Sequence, residues 1–176
     1  MNGLGFIREK LDIKILILFI LQRLPEPVDL ETLAGLTRQE DTVGWFDFTE
    51  CLAELEQSGH IMQERGGWRI TPKGERNSRM VESSLPWCVR SRTEKLVSPV
   101  AARLRRDAMI VTEHKMLDDG TAMAELSLSD GKGPMLRLSV LCAGETQAAE
   151  IETRFRSQAE QTYARIMQLL TADEAH

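Results

Sequence analysis

Residues 59–76, GHIMQERGGWRITPKGER, allow few folds. Gly59 closes an apolar helix end at C-cap position. Two short runs with strand character, His60–Gln63 and Trp68–Thr71, then flank Arg65-Gly66-Gly67, which reads as a hairpin turn with a basic tip. Pro72 opens a helix immediately afterwards, and this helix is expected to continue toward Ser83.

Three helices are expected before the hairpin. The first runs from about Asp12, a good N-cap, to Leu24, where Pro25 and Pro27 stop it. Its residues Ile13, Ile15–Leu21 and Leu24 wrap most of the circumference, whereas a helix covered on one side shows a stripe only about 100 degrees wide. A second apolar partner is therefore required, from the rest of the chain or from another subunit, and a dimer is expected to contribute. VDLETLAGL reads as a short second helix capped by Asp29, with Leu30, Leu33 and Leu36 facing inward. After a polar loop over 37–45, a third helix starts near Asp47 and places Phe48, Leu52 and Leu55 on one face. Three helices followed by a basic hairpin are the order of a winged helix-turn-helix domain, in which the third helix is the recognition helix and the hairpin the wing.

The second half of the chain changes period. SSLPWCVRSRTEKLVSPVAARLRR (83–106) reads as a connecting helix or helix pair interrupted near Pro86 and Pro99. From Asp107 the period is two. Met109–Met116, Thr121–Ser129 and Met135–Leu141 are separated by the turn sequences Leu117-Asp118-Asp119-Gly120 and Asp130-Gly131-Lys132-Gly133, which predicts a three-stranded antiparallel meander. One face is apolar, and the cover is a long last helix from about Thr146 to Leu170 with Ile151, Phe155, Ala159, Thr162, Ile166 and Leu169 as its stripe. The fold class is α+β: a winged helix-turn-helix domain over 1–85, then a connector helix with a small three-stranded antiparallel sheet and a long C-terminal helix over 86–176.

Charge separates the chain into blocks. The net charge is −5, but residues 1–64 carry net −7, residues 65–106 net +8 and residues 107–176 net −6. The middle block is a basic island whose field attracts phosphate; its structural alternative is ion pairing with the acidic blocks. Arg65, Arg69, Lys73 and Arg76 are the candidate phosphate contacts, because guanidinium groups on a hairpin tip can follow a DNA backbone or enter a minor groove. Trp68 is expected to fill the core rather than touch nucleic acid. On the recognition helix Thr49 and Glu50 are the outward candidates, and Glu50 can accept from a cytosine amino group. Asp47, Glu50 and Glu54 on that face nonetheless repel phosphate. Either the wing dominates the contact, or the domain is a protein-interaction module without DNA binding.

Other chemistries find little support. Cys51, Cys88 and Cys142 are odd in number and lack metal-ligand spacing, so they read as buried thiols of a cytoplasmic protein. The run Ile15–Leu21 falls far short of the roughly 18 residues a membrane span needs, and no export signal is read. His114 with Glu113 and Asp118 makes at most a weak cation site, so no metal or cofactor is expected. Catalytic signatures such as GxSxG, GxxxxGK and HExxH are absent, and no enzyme activity is expected.

With LDIKILILFILQRL, HIMQERGGWRITPKG, SSLPWCVR and the following sheet and helix taken together, the chain resembles the bacterial family called domain of unknown function 4364. More distantly, its first 80 residues resemble winged-helix regulators of the PadR family. The resemblance implies a cytoplasmic, dimeric, DNA-binding transcription regulator. Only the wing basics Arg65, Arg69 and Lys73 carry over, since the acidic recognition helix departs from the pattern. The target sequence and any effector are not legible.

Overall fold

The structure, a computed structural model, describes residues 9–38 and 43–172. By its contacts the chain divides into two compact units, residues 1–105 and 106–176.

In the first unit the helices are α1 (Lys10–Arg23), α2 (Leu30–Thr37), α3 (Trp45–Gln57) and α4 (Pro72–Val81), with strands β1 (Ile61–Glu64) and β2 (Gly67–Ile70) between α3 and α4. A 3₁₀ turn, Glu82–Ser84, leads into α5 (Trp87–Met109). One expected cap follows the sequence, Asp29, which accepts from Thr32 N at 2.7 Å; α4 opens at Pro72 as expected, and Thr71 Oγ1, not singled out as a cap, accepts from Gly74 N at 3.1 Å. Two do not. α1 begins before Asp12, at Lys10, and α3 begins at Trp45 behind Gly44, so Asp47 lies in the first turn rather than at the cap. Part of the expected loop over 37–45 lies outside the described residues.

The all-round apolarity of α1 has an intramolecular explanation. Ile13 and Ile15–Leu21 are buried in one cluster with residues from α2, α3 and the hairpin, and Leu85, Val89 and Val97 join the same cluster. The second apolar partner that the sequence demands is thus supplied by Leu85, just after the 3₁₀ turn, and by α5 of the same chain. α5 also runs unbroken through Pro99, where an interruption was expected. Pro99 removes the donor to the Lys95 carbonyl, but both residues are exposed, so water can take that carbonyl.

The hairpin turn has two residues, not three. Glu64 pairs with Gly67, leaving Arg65 (φ +50°) and Gly66 (φ +78°) as a turn with both φ angles positive, the pattern that matches strand twist. Gly67 sits in the strand because Val28 crosses it: Val28 and Trp68 exchange backbone hydrogen bonds of 3.1 and 2.7 Å, and a Cβ on Gly67 would stand 3.0 Å from Val28 N. Val28 therefore extends the hairpin as a third, single-bridge rung, and Trp68 is buried in the core as expected.

The second unit is the predicted meander, β3 (Ile110–Met116), β4 (Ala122–Ser129) and β5 (Pro134–Cys142), antiparallel in the order β3-β4-β5, followed by α6 (Glu145–Thr171). Ala122, Ala124, Leu126 and Leu128 alternate inward, and Ala148, Phe155 and Ala159 of α6 cover them. α6 is kinked at Gln158 (φ −133°, ψ 22°). Arg106 explains the kink: its Nη2 donates to the carbonyls of Arg156 (3.2 Å) and Ser157 (3.5 Å) and its Nε to Glu160 (3.3 Å), drawing that turn out of the helical ladder. Cys51 and Cys142 are buried, whereas Cys88, read as buried from the sequence, is exposed. No helix among the described residues is long and apolar enough to cross a membrane.

Candidate nucleic-acid interface at the hairpin

Four basic candidates lie on the hairpin and the start of α4, and they are not equivalent. Arg65 stands at the tip, its side chain 81% exposed and its Nε 4.0 Å from Glu64 Oε1. Arg69 is across the strand pair and donates to Glu64 Oε2 at 2.8 Å, a bond that holds the Glu64 carboxyl below the usual carboxylate range. Lys73 donates from Nζ to the Ser58 carbonyl at 2.6 Å, satisfying an end carbonyl of α3. Arg76 is exposed on α4 and makes no ion pair with any described residue. Arg76, and Arg65 with only its long 4.0 Å approach to Glu64, are thus disposed for an outside anion, while Arg69 and Lys73 are held by short intramolecular hydrogen bonds.

The two candidates on α3 are also engaged. Thr49 Oγ1 turns back on its helix to the carbonyls of Trp45 (3.1 Å) and Phe46 (3.0 Å). Glu50 meets Lys10 of α1 at 2.6 Å, and one turn further Glu54 meets Lys14. The hydrogen bond that Lys10 donates to Glu50 raises the Lys10 pKa, and the one that Lys14 donates to Glu54 lowers that of Glu54. This two-rung ladder was missed from the sequence, although Lys10/Lys14 and Glu50/Glu54 share an i, i+4 spacing that two helices packed side by side can match. It neutralises much of the acidity that set α3 against phosphate. Asp47 and Glu56 stay exposed outside the ladder, and beside Asp47 the start of α3 is apolar: Phe46 is 85% exposed, and Trp45 is half-exposed with the Arg38 guanidinium 5.6 Å from its ring centroid.

A second polar group without a sequence signal lies at the base of the hairpin. His60 Nδ1 is 2.7 Å from Ser58 Oγ, and its Nε2 is 2.6 Å from Asn77 Nδ2. In the second unit His114 pairs with Glu152 of α6 at 2.7 Å, 38 residues away, rather than with its neighbours Glu113 and Asp118. No group of three or more His, Cys, Asp or Glu side chains among the described residues is placed to hold a metal ion.

Residues 13–170 match a family model described as a domain of unknown function, DUF4364. No curated protein and no solved structure matches the chain.

Proposed function

The chain belongs to the DUF4364 family, whose description carries no activity, and from its own surface we propose that it is a winged-helix transcription regulator that holds duplex DNA through its hairpin. The observation that carries this reading is the two-residue turn, which projects Arg65 outward, with Arg76 exposed on the next helix. The element order α1-α2-α3-hairpin-α4 and the extra rung at Val28 support the winged-helix assignment. Contact is mainly to phosphate, because Thr49 and Glu50 are committed to bonds within the unit and offer little for base reading. A dimer would set two hairpins about one DNA turn apart.

The test is retention of genomic fragments by the purified protein at two salt concentrations, beside an Arg65→Glu/Arg76→Glu variant. These two positions are preferred because Arg69 and Lys73 hold the hairpin and the end of α3. Retention should weaken with salt by a slope of about −0.9 per phosphate neutralised, and the variant should lose it while keeping its circular dichroism. A folded protein that retains no DNA at low salt refutes the reading.

Phe46 favours a second reading, a protein-interaction module. An apolar ring this exposed at the start of α3 is suited to another protein's surface rather than to phosphate. Phe46→Asp should then abolish partner capture, with the Arg65→Glu/Arg76→Glu variant still active in it.

A further inference from the structure

The first unit contains a cavity of about 740 Å³ between α1, the end of α3, α4 and the 3₁₀ turn. Its size falls within the range of about 300–1,000 Å³ typical of small-molecule sites. The floor is apolar, formed by Ile15 and Leu18 of α1 and Leu55 of α3. Leu11 and Met80 stand at the cavity 62% and 72% exposed, so apolar surface is presented to whatever enters.

One wall is polar and fixed. Ser58 Oγ donates to the Glu54 carbonyl at 2.7 Å, so it accepts from His60 Nδ1–H, and His60 Nε2 in turn accepts from Asn77 Nδ2. That chain specifies a neutral imidazole in one tautomer. Burial, and then the Lys73 charge, lower the His60 pKa in the same sense. Asn77 keeps a second amide hydrogen and its carbonyl oxygen for a ligand. The charged groups at the cavity, Lys14 and Glu54, are closed on each other and leave no net charge to attract an ion.

We infer that this cavity is a binding site for an uncharged, mainly apolar small molecule whose one hydrogen-bonding end is read by Asn77. The inference goes beyond the DNA reading and does not depend on it. The site lies against the base of the hairpin, since Ser58 and His60 immediately precede β1, so a bound molecule touches the segment that carries Arg65.

The test uses the intact protein and N-phenyl-1-naphthylamine, an uncharged aromatic amine that brightens in apolar surroundings. Saturable binding of one dye per chain is expected, with a shift of the Asn77 side-chain amide resonance. Met80→Trp and Leu11→Trp, both at exposed positions, narrow the cavity from two sides and should weaken binding by about tenfold or more. Leu169→Asp/Leu170→Asp, which removes exposed apolar side chains from the end of α6, should leave it unchanged. Absence of saturable binding overturns the inference. So does binding that survives both tryptophans and disappears in the α6 variant, which would mark adsorption to exposed side chains. Exclusion of the dye by a dimer that Met80→Asp dissociates in sedimentation overturns it too, because the cavity is then covered by a second copy.

Discussion

Gly74 shows how tightly the helix after the hairpin is seated. A Cβ there would come 2.1 Å from the His60 carbonyl oxygen and 2.8 Å from Ile70 Cγ1. The oxygen belongs to backbone that also accepts from Thr71 N at 3.0 Å, so it cannot yield without loosening the hairpin. Gly74→Ala should destabilise the protein by about 2–3 kcal/mol, in the range of core overpacking and against the usual gain from alanine in a helix; urea denaturation checks it, and an unchanged midpoint would mean that the seat is not rigid. His60, one bond chain away, makes a pH prediction. Its folded pKa lies below the ordinary value of 6.5, so the unfolded chain takes up the proton first. The stability this site contributes is complete above the unfolded pKa and declines as pH falls from about 6.5 through the lower folded value. Between about pH 7.5 and about pH 5.5 the wild type should lose more unfolding free energy than His60→Gln, measured by urea melts at both values.

At the scale of elements, legibility followed the locality of the cause. Asp29 and Pro72 announced α2 and α4 because a capping side chain that bonds a backbone N–H three residues on, and a proline at a first helical position, are relations written in consecutive residues. The meander was equally open to reading, since Gly120 and Gly131 adopt the positive φ values (84° and 82°) that their turn sequences suggested. The start of α1 and the continuity of α5 were not, because Asp12 and Pro99 have strong local preferences that tertiary burial and solvent access override. The kink in α6 could not be foreseen at Gln158 itself: Arg106, which causes it, is about fifty residues away in sequence. The candidate interface divides in the same manner. That the hairpin tip is basic was plain in the sequence; that Arg69 and Lys73 are held by Glu64 and Ser58, and Glu50 by Lys10, depends on pairings between elements. The α1–α3 ladder also changes the meaning of two of the acidic residues on α3, since Glu50 and Glu54 form one side of an interhelical ion-pair row while Asp47 and Glu56 stay exposed.

At the scale of the molecule, charge and core both divide between the units. Residues 1–105 carry no net charge and residues 106–176 carry the whole of −5, so any attraction for phosphate belongs to the basic residues of the first unit and is opposed by the field of the second. The apolar clusters also divide between the units, one built around α1 and two between the meander and α6. Separate cores imply separable unfolding, and the chain has a natural reporter for it: Trp45, Trp68 and Trp87 all lie in the first unit, and the single tyrosine, Tyr163, in the second. Phe155, only 4% exposed beneath the sheet, holds the second core together. Truncating it to alanine should cost about 3–5 kcal/mol, the usual range for a buried phenylalanine. Far-ultraviolet circular dichroism should then show part of its signal lost at lower urea, while the tryptophan fluorescence midpoint, which follows the buried Trp68, stays where it is in the wild type. If both signals instead move together by the full amount, the two cores unfold as one cooperative unit, and the second unit then contributes to the stability of the hairpin that carries Arg65.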